Sequence, residues 1–165
     1  MVTFRSSRVS DAKTLGRTHV QAWQETYRGK ISDDYLDWLK PEIAEKIFSH
    51  RAPANVFVAE DEGEIVGFAV VGHGGEEDMP PRTGELCGLY VLRSHQKKGI
   101  GKGLFEMAEK RLSSLGYKRM LLWVLDTNLD AQAFYGRMGM KKDGKYKHTT
   151  LGSVITEYRM VKEIK

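Results

Sequence analysis

Apolar positions in this chain recur with two periods, and the switching between them predicts the elements. Residues 2–5 read as a short strand. Ser10 stands where an N-cap belongs, ahead of a helix over 11–27 in which Leu15, His19, Ala22, Trp23 and Tyr27 share one face. Gly29 ends that helix, Ser32 caps a second carrying Tyr35, Leu36 and Leu39, and Pro41 opens a third with Ile43, Ala44, Ile47 and Phe48. Residues 56–60 and 65–71 are β-rich runs about the turn 61–64, which predicts a hairpin. Residues 72–84, GHGGEEDMPPRTG, carry no period and predict an exposed, mobile loop.

Residues 85–92 have the length and apolar content of a buried strand. From Gly101 the period becomes helical, with Leu104, Phe105, Ala108, Leu112 and Leu115 on one face until Gly116 closes the helix. An apolar strand follows over 119–125, and strand, crossover helix and strand in that order predict parallel pairing. Asn128 is placed to cap a helix over 129–138 that Gly139 ends, and 141–147 and 153–161 form a last hairpin about 149–152. The predicted fold class is α/β (α+β): a mixed sheet with helices on both faces, in a single domain over 1–165.

Composition changes this picture little. Hydrophobic content of 41% and charged content of 29% are ordinary for a globular chain. The net charge of +4 invites a nucleic-acid partner, but the 26 basic residues are interspersed with 22 acidic ones, so none is expected. Cys87 stands alone, which excludes an intramolecular disulfide, suits a reducing compartment and suggests a small core residue. No stretch has signal-peptide character or approaches the ~18 apolar residues of a membrane span, so a cytoplasmic protein without a membrane partner is expected. The five histidines show no paired metal-ligand spacing, and no metal is expected.

The candidate chemistry begins where strand gives way to helix, at QKKGIGKG over 96–103. Glycine inside a helix costs about 1 kcal/mol relative to alanine, so three at one helix start need a reason. A bound phosphate is such a reason: a helix N-terminus offers unpaired N–H groups and partial positive charge, glycines allow close approach, and Lys97, Lys98 and Lys102 add charge. A solvated surface turn is the plainer alternative. No G-x-x-x-x-G-K-[ST] run exists, and a dinucleotide fingerprint starting at Gly99 would need Gly or Ala where Leu104 stands.

The run Gln96-x-x-Gly99-x-Gly101 after a strand resembles the pyrophosphate loop of the GNAT superfamily of acetyl-CoA-dependent N-acetyltransferases. Asn128, Ala131, Phe134, Tyr135 and Gly139 are spaced like that family's second cofactor segment, and the order of elements is similar throughout. The resemblance implies acetyl-CoA as co-substrate and one parallel strand pair, in a mostly antiparallel sheet, splayed to admit the pantetheine arm. It assigns that arm to backbone groups of Leu89, Tyr90 and Val91, and the pyrophosphate to the N–H groups of Gln96, Lys97, Lys98, Gly99, Ile100, Gly101 and Lys102. Asn128 contacts the arm, caps its helix, or does both.

Tyr135 is the implied acid that assists departure of the thiolate, with a core aromatic as its alternative. Glu85 is the implied base, desolvated on one strand face with Cys87, Leu89 and Val91 provided no bulge intervenes; a solvated strand end or a water chain is the alternative. Trp23 and Tyr27 line the acceptor site or are simply core, and the loop carboxylates Glu76, Glu77 and Asp78 draw a cationic acceptor or are merely solvated. The acceptor is then a small-molecule amine or a peptide or protein amino group. The same family includes homodimers formed through exposed sheet edges. A non-catalytic acyl-CoA-binding module and, less well supported, a nucleic-acid-binding protein are the other classes.

Overall fold

The computed structural model describes residues 1–164 and contains one seven-stranded sheet. Its strands are β1 (Val2–Ser6), β2 (Val56–Asp61), β3 (Glu64–His73), β4 (Thr83–Val91), β5 (Arg119–Leu125), β6 (Lys141–Leu151) and β7 (Ser153–Glu163), in spatial order β1-β2-β3-β4-β5-β7-β6. Every neighbouring pair is antiparallel except β4 with β5. The helices are α1 (Ala12–Tyr27), α2 (Asp33–Trp38), α3 (Pro41–Ser49), α4 (Ile100–Ser114) and α5 (Leu129–Arg137). None of them is long and apolar enough to cross a membrane.

Each face of the sheet has its own core. Leu104, Phe105, Ala108 and Leu112 of α4 and Tyr135 of α5 pack against Met120, Leu122 and Val124 on one face. On the other, Leu15 of α1 and Phe48 of α3 cover Val56, Val58, Phe68 and Val70. Ile31, Leu36 and Leu125 form a smaller cluster with Trp23 and Tyr27 beside it.

Several expectations need correcting. Ser10 does not cap α1, because a 3₁₀ turn, Val9–Asp11, precedes the helix and Asp11 pairs with Arg5. Leu115 is 47% exposed because α4 ends one residue before it. The loop is shorter than 72–84, since Gly72 and His73 pair with Glu85 and Gly84. It is also tied at one point: Asp78 accepts two bonds of 2.8 Å from the Arg159 guanidinium, which is buried and also donates to Asp143 at 2.7 Å.

Candidate active site

After β4 the chain makes a 3₁₀ turn, Arg93–His95, and enters α4 through residues with left-handed backbone, Lys97 at φ 61° and Gly99 at φ 82°. Gly103 N–H donates to the Gly99 carbonyl at 3.1 Å, so the N–H groups of Ile100, Gly101 and Lys102 are left without helical acceptors. An anion placed there meets these donors and the positive end of the helix dipole. Ile100 is 2% exposed, so its part is confined to its backbone, whereas Lys97, Lys98 and Lys102 are exposed.

The three glycines do not share one purpose. A Cβ on Gly99 would meet nothing within 4 Å, so its requirement is the positive φ. On Gly101 a Cβ would stand 3.2 Å from the Phe134 ring, and on Gly103 2.5 Å from the Phe4 ring. Gly103 is thus needed for packing α4 against β1, and the single-anion explanation of the cluster is too broad.

The parallel pairing stops early. Thr83, Gly84 and Glu85 pair with Arg119, Met120 and Leu121, and no residue of β4 beyond Glu85 has a partner on β5. Leu89, Tyr90 and Val91 pair with β3 on their other side, which leaves a wedge-shaped gap along this end of β4. The Val91 carbonyl accepts from Gln96 Nε2 at 3.0 Å, which ties the loop to the gap.

Within β4 the register shifts: Gly88 pairs with Val70 and Leu86 with Val71, so Cys87 is an extra residue. This bulge inverts the alternation. Leu89 and Val91 pack toward α4, while Glu85, Cys87 and Tyr90 face α1. Glu85 therefore shares its face with Tyr90 and not with Leu89 and Val91. Cys87 is exposed and does not belong to the core.

That face forms the wall of a cavity of about 230 Å³. It is lined by Glu85, Leu86, Cys87 and Tyr90 of β4, Trp123 and Leu125 of β5, Glu157 and Ile155 of β7, and Lys147 and Leu151 of β6. Trp23, Tyr27 and Ile31 complete it from the α1 side. Tyr27 and Tyr90 join their hydroxyls at 2.9 Å. Burial raises both phenols; the neighbouring Glu157 carboxylate reinforces this, while the bond to Tyr90 opposes it at Tyr27.

Burial likewise raises the Glu85 carboxyl, against the opposing hydrogen bond from Cys87 (Sγ to Oε2, 3.3 Å) and the charge of Lys147. Crowding around the Cys87 sulfur, followed by the Glu85 charge, pushes its thiol up to about 11. Tyr135 lies on the α5 side, buried against Phe134 and Phe105, and its phenol is raised by burial and then by Tyr27. Asn128 Oδ1 accepts from Ala131 N–H at 3.3 Å, the capping arrangement.

Trp123, Lys147, Glu157 and the Tyr90 side chain were not singled out from sequence. Alternation along 153–161 put Ile155 and Glu157 on one face and was a usable signal for Glu157. Tyr90 had none, because its direction depends on the bulge.

The sheet opened between two parallel strands, with an N–H-lined loop at the wide end of the gap, defines the class as an acyl-coenzyme A-dependent transferase. The model of the Acetyltransferase (GNAT) family matches residues 17–140. Over 129 residues the chain is 35% identical to the uncharacterized N-acetyltransferase YuaI of Bacillus subtilis, covering 78% of this chain and 74% of that protein. It is 26% identical over 148 residues to the spermidine N(1)-acetyltransferase of Thermoplasma acidophilum, covering 85% and 88%. Its fold superimposes on that of YncA, a putative acetyltransferase from Salmonella typhimurium solved with its cofactor acetyl-CoA, with a TM-score of 0.78 at 18% identity, covering 100% of this chain and 95% of the other. The chain belongs to the GNAT family and is an acetyl-CoA-dependent N-acetyltransferase.

Proposed function

We propose that the chain moves an acetyl group from acetyl-CoA directly to a primary amine of a small molecule held in the cavity beside the β4–β5 gap. The observation that carries this reading is the cavity itself, with the desolvated Glu85 on its wall. At about 230 Å³ it is smaller than the roughly 300–1,000 Å³ of sites for drug-sized ligands, which favours a compact amine over a peptide segment. Its aromatic walls and two carboxylates, Glu85 and Glu157, suit an aliphatic ammonium, and one relative bears the name of a spermidine acetyltransferase.

Acetyl-CoA supplies the thioester. The N–H groups of residues 97–102 hold its pyrophosphate, the Gln96 N–H being donated to the Arg93 carbonyl instead, and the Leu89–Val91 edge of β4 replaces the missing strand for its amides. An arm anchored beyond the C-terminal end of β4 and running back along it ends at the narrow end of the gap, near Glu85 and Trp123. There Glu85 takes the proton of the acceptor ammonium; its raised pKa makes it a better base than an ordinary carboxylate. A free β4 N–H polarises the thioester carbonyl. Tyr135 stays protonated and donates a hydrogen bond to the departing sulfur; complete transfer is uphill, because a thiol's ordinary pKa of about 8.5 lies below that of the phenol.

Thiol release across polyamines, amino acids, aminoglycosides and peptide N-termini, with calorimetric titration of coenzyme A, tests the reading. Release with small amines is expected. Release with peptides alone moves the acceptor to a protein, and binding without turnover on any amine leaves only a coenzyme-binding module.

A further inference from the structure

The acceptor cavity already contains a primary amine. Lys147, on β6, extends across β7 and sets its ammonium 4.2 Å from the centre of the Trp123 ring on the cavity wall. Its cross-strand neighbour Glu157 is engaged by the Thr149 hydroxyl at 3.0 Å, so Lys147 rests on an aromatic face, inside the cavity, rather than on that carboxylate. Trp123 stands two residues along β5 from Leu121, the partner of Glu85 in the last pair before the gap, a step of about 7 Å. Glu85 feels this ammonium, whose charge opposes the rise in its pKa.

We propose that Lys147 is a self-acetylation site, the enzyme's own side chain serving as acceptor when no free amine fills the cavity. This rests on the function proposed above, which brings the thioester to the narrow end of the gap. Lys147 Nζ, after giving one proton to Glu85, forms an amide C–N bond to the acetyl carbon. The carbon–sulfur bond breaks, coenzyme A leaves as the thiol once the sulfur gains the second ammonium proton, and no further reactant is needed. Acetylation removes the positive charge from the cavity and leaves a neutral amide over Trp123. Until then, the Lys147 ammonium occupies the ground that an incoming acceptor ammonium needs.

Lys142 is a control within the same strand. Its ammonium also lies over an aromatic ring, that of Tyr158 at 4.6 Å, but it does not line the cavity, and Tyr158 packs against the α4 core. The full chain is incubated with acetyl-CoA in the absence of amine, and acetylation of each lysine is followed by peptide mass spectrometry. Held beside the thioester, Lys147 gains its acetyl group about tenfold or more faster than Lys142. Its first-order rate is independent of protein concentration, falls in Tyr135→Phe and falls when a turned-over amine is added.

Equal rates at the two lysines mean chemical acetylation by the thioester and overturn the proposal, as does a rate proportional to protein concentration, which marks transfer between copies. If small amines are acetylated and Lys147 is not, this inference falls and the proposed function stands. If neither is acetylated, both fall. Lys147→Met supplies a second measurement: with the competing cation gone, KM for a cationic acceptor falls, and an unchanged KM refutes the competition.

Discussion

Tyr135 and Glu85 sit where burial favours their neutral forms, and each has a different consequence for the reaction. Tyr135→Phe removes only the hydrogen-bond donor and keeps the ring against Phe134, so turnover falls by about 10²-fold or more while coenzyme A affinity, read by calorimetry, is retained. As the proposed base, Glu85 works only when ionised. Activity is therefore lost as pH falls through its folded-state pKa, which lies above the usual 4.5, and Glu85→Gln abolishes that acidic limb of the rate profile. His19 speaks to stability instead. Stacked on Trp23 and packed against Phe48, Phe68 and Tyr90, it is held by burial down to about 4, below its unfolded value of 6.5. The folded state then binds fewer protons between these values, so stability falls as pH drops from 6.5 to 4, by about 3 kcal/mol at most. His19→Phe flattens the dependence of the thermal midpoint on pH in that window. Tyr135 and Glu85 could be picked out by motif and strand position, but their desolvation arises from segments distant in sequence, Phe105 of α4 for Tyr135 and α1 with the β6–β7 hairpin for Glu85.

The start of α4 shows one element meeting separate demands. Gly99→Ala forces a side chain into left-handed backbone at a cost of about 1–2 kcal/mol and disturbs the N–H groups facing the anion, so coenzyme A binding weakens. Gly103→Ala instead drives a methyl into the Phe4 ring and costs about 1–3 kcal/mol of stability with coenzyme A affinity unchanged. Phe4→Leu combined with Gly103→Ala restores part of that loss in urea unfolding; no recovery would show that the contact with Phe4 is not its cause. The sequence revealed that glycines cluster here, yet it could not sort them, because Phe4 and Phe134 reach α4 only in the folded chain. The β4 bulge is similar: one unpaired residue at Cys87 is a property of pairing with β3, and it reverses which side chains face the cavity.

Arg159 links three distant segments, holding Asp78 of the loop and Asp143 of β6 from its place in β7. Arg159→Met leaves both carboxylates without their cation and costs about 2 kcal/mol in urea unfolding, short of a fully buried pair because Asp78 is half exposed. The loop also becomes cleavable by limited proteolysis, whereas resistance equal to the parent's would mean that the ion pair does not secure it. Residues 72–84 carried no sign of this anchor, since nothing in a polar, glycine-rich stretch specifies a partner 81 residues away.

The sequence by itself determined the order of strands and helices, the α4 face, the loop with its unpaired amides and the residues that resemble a cofactor site. These follow from local rules of periodicity, capping and glycine backbone, which act over a few neighbouring residues. Only the tertiary structure decided where β4 and β5 part, how the bulge turns Glu85 and Tyr90 toward α1, and that Lys147 and Glu157 enter the same cavity. Strand register and the closing of a cavity by four strands and a helix are set by packing between segments far apart in the chain, and local propensity carries no record of them.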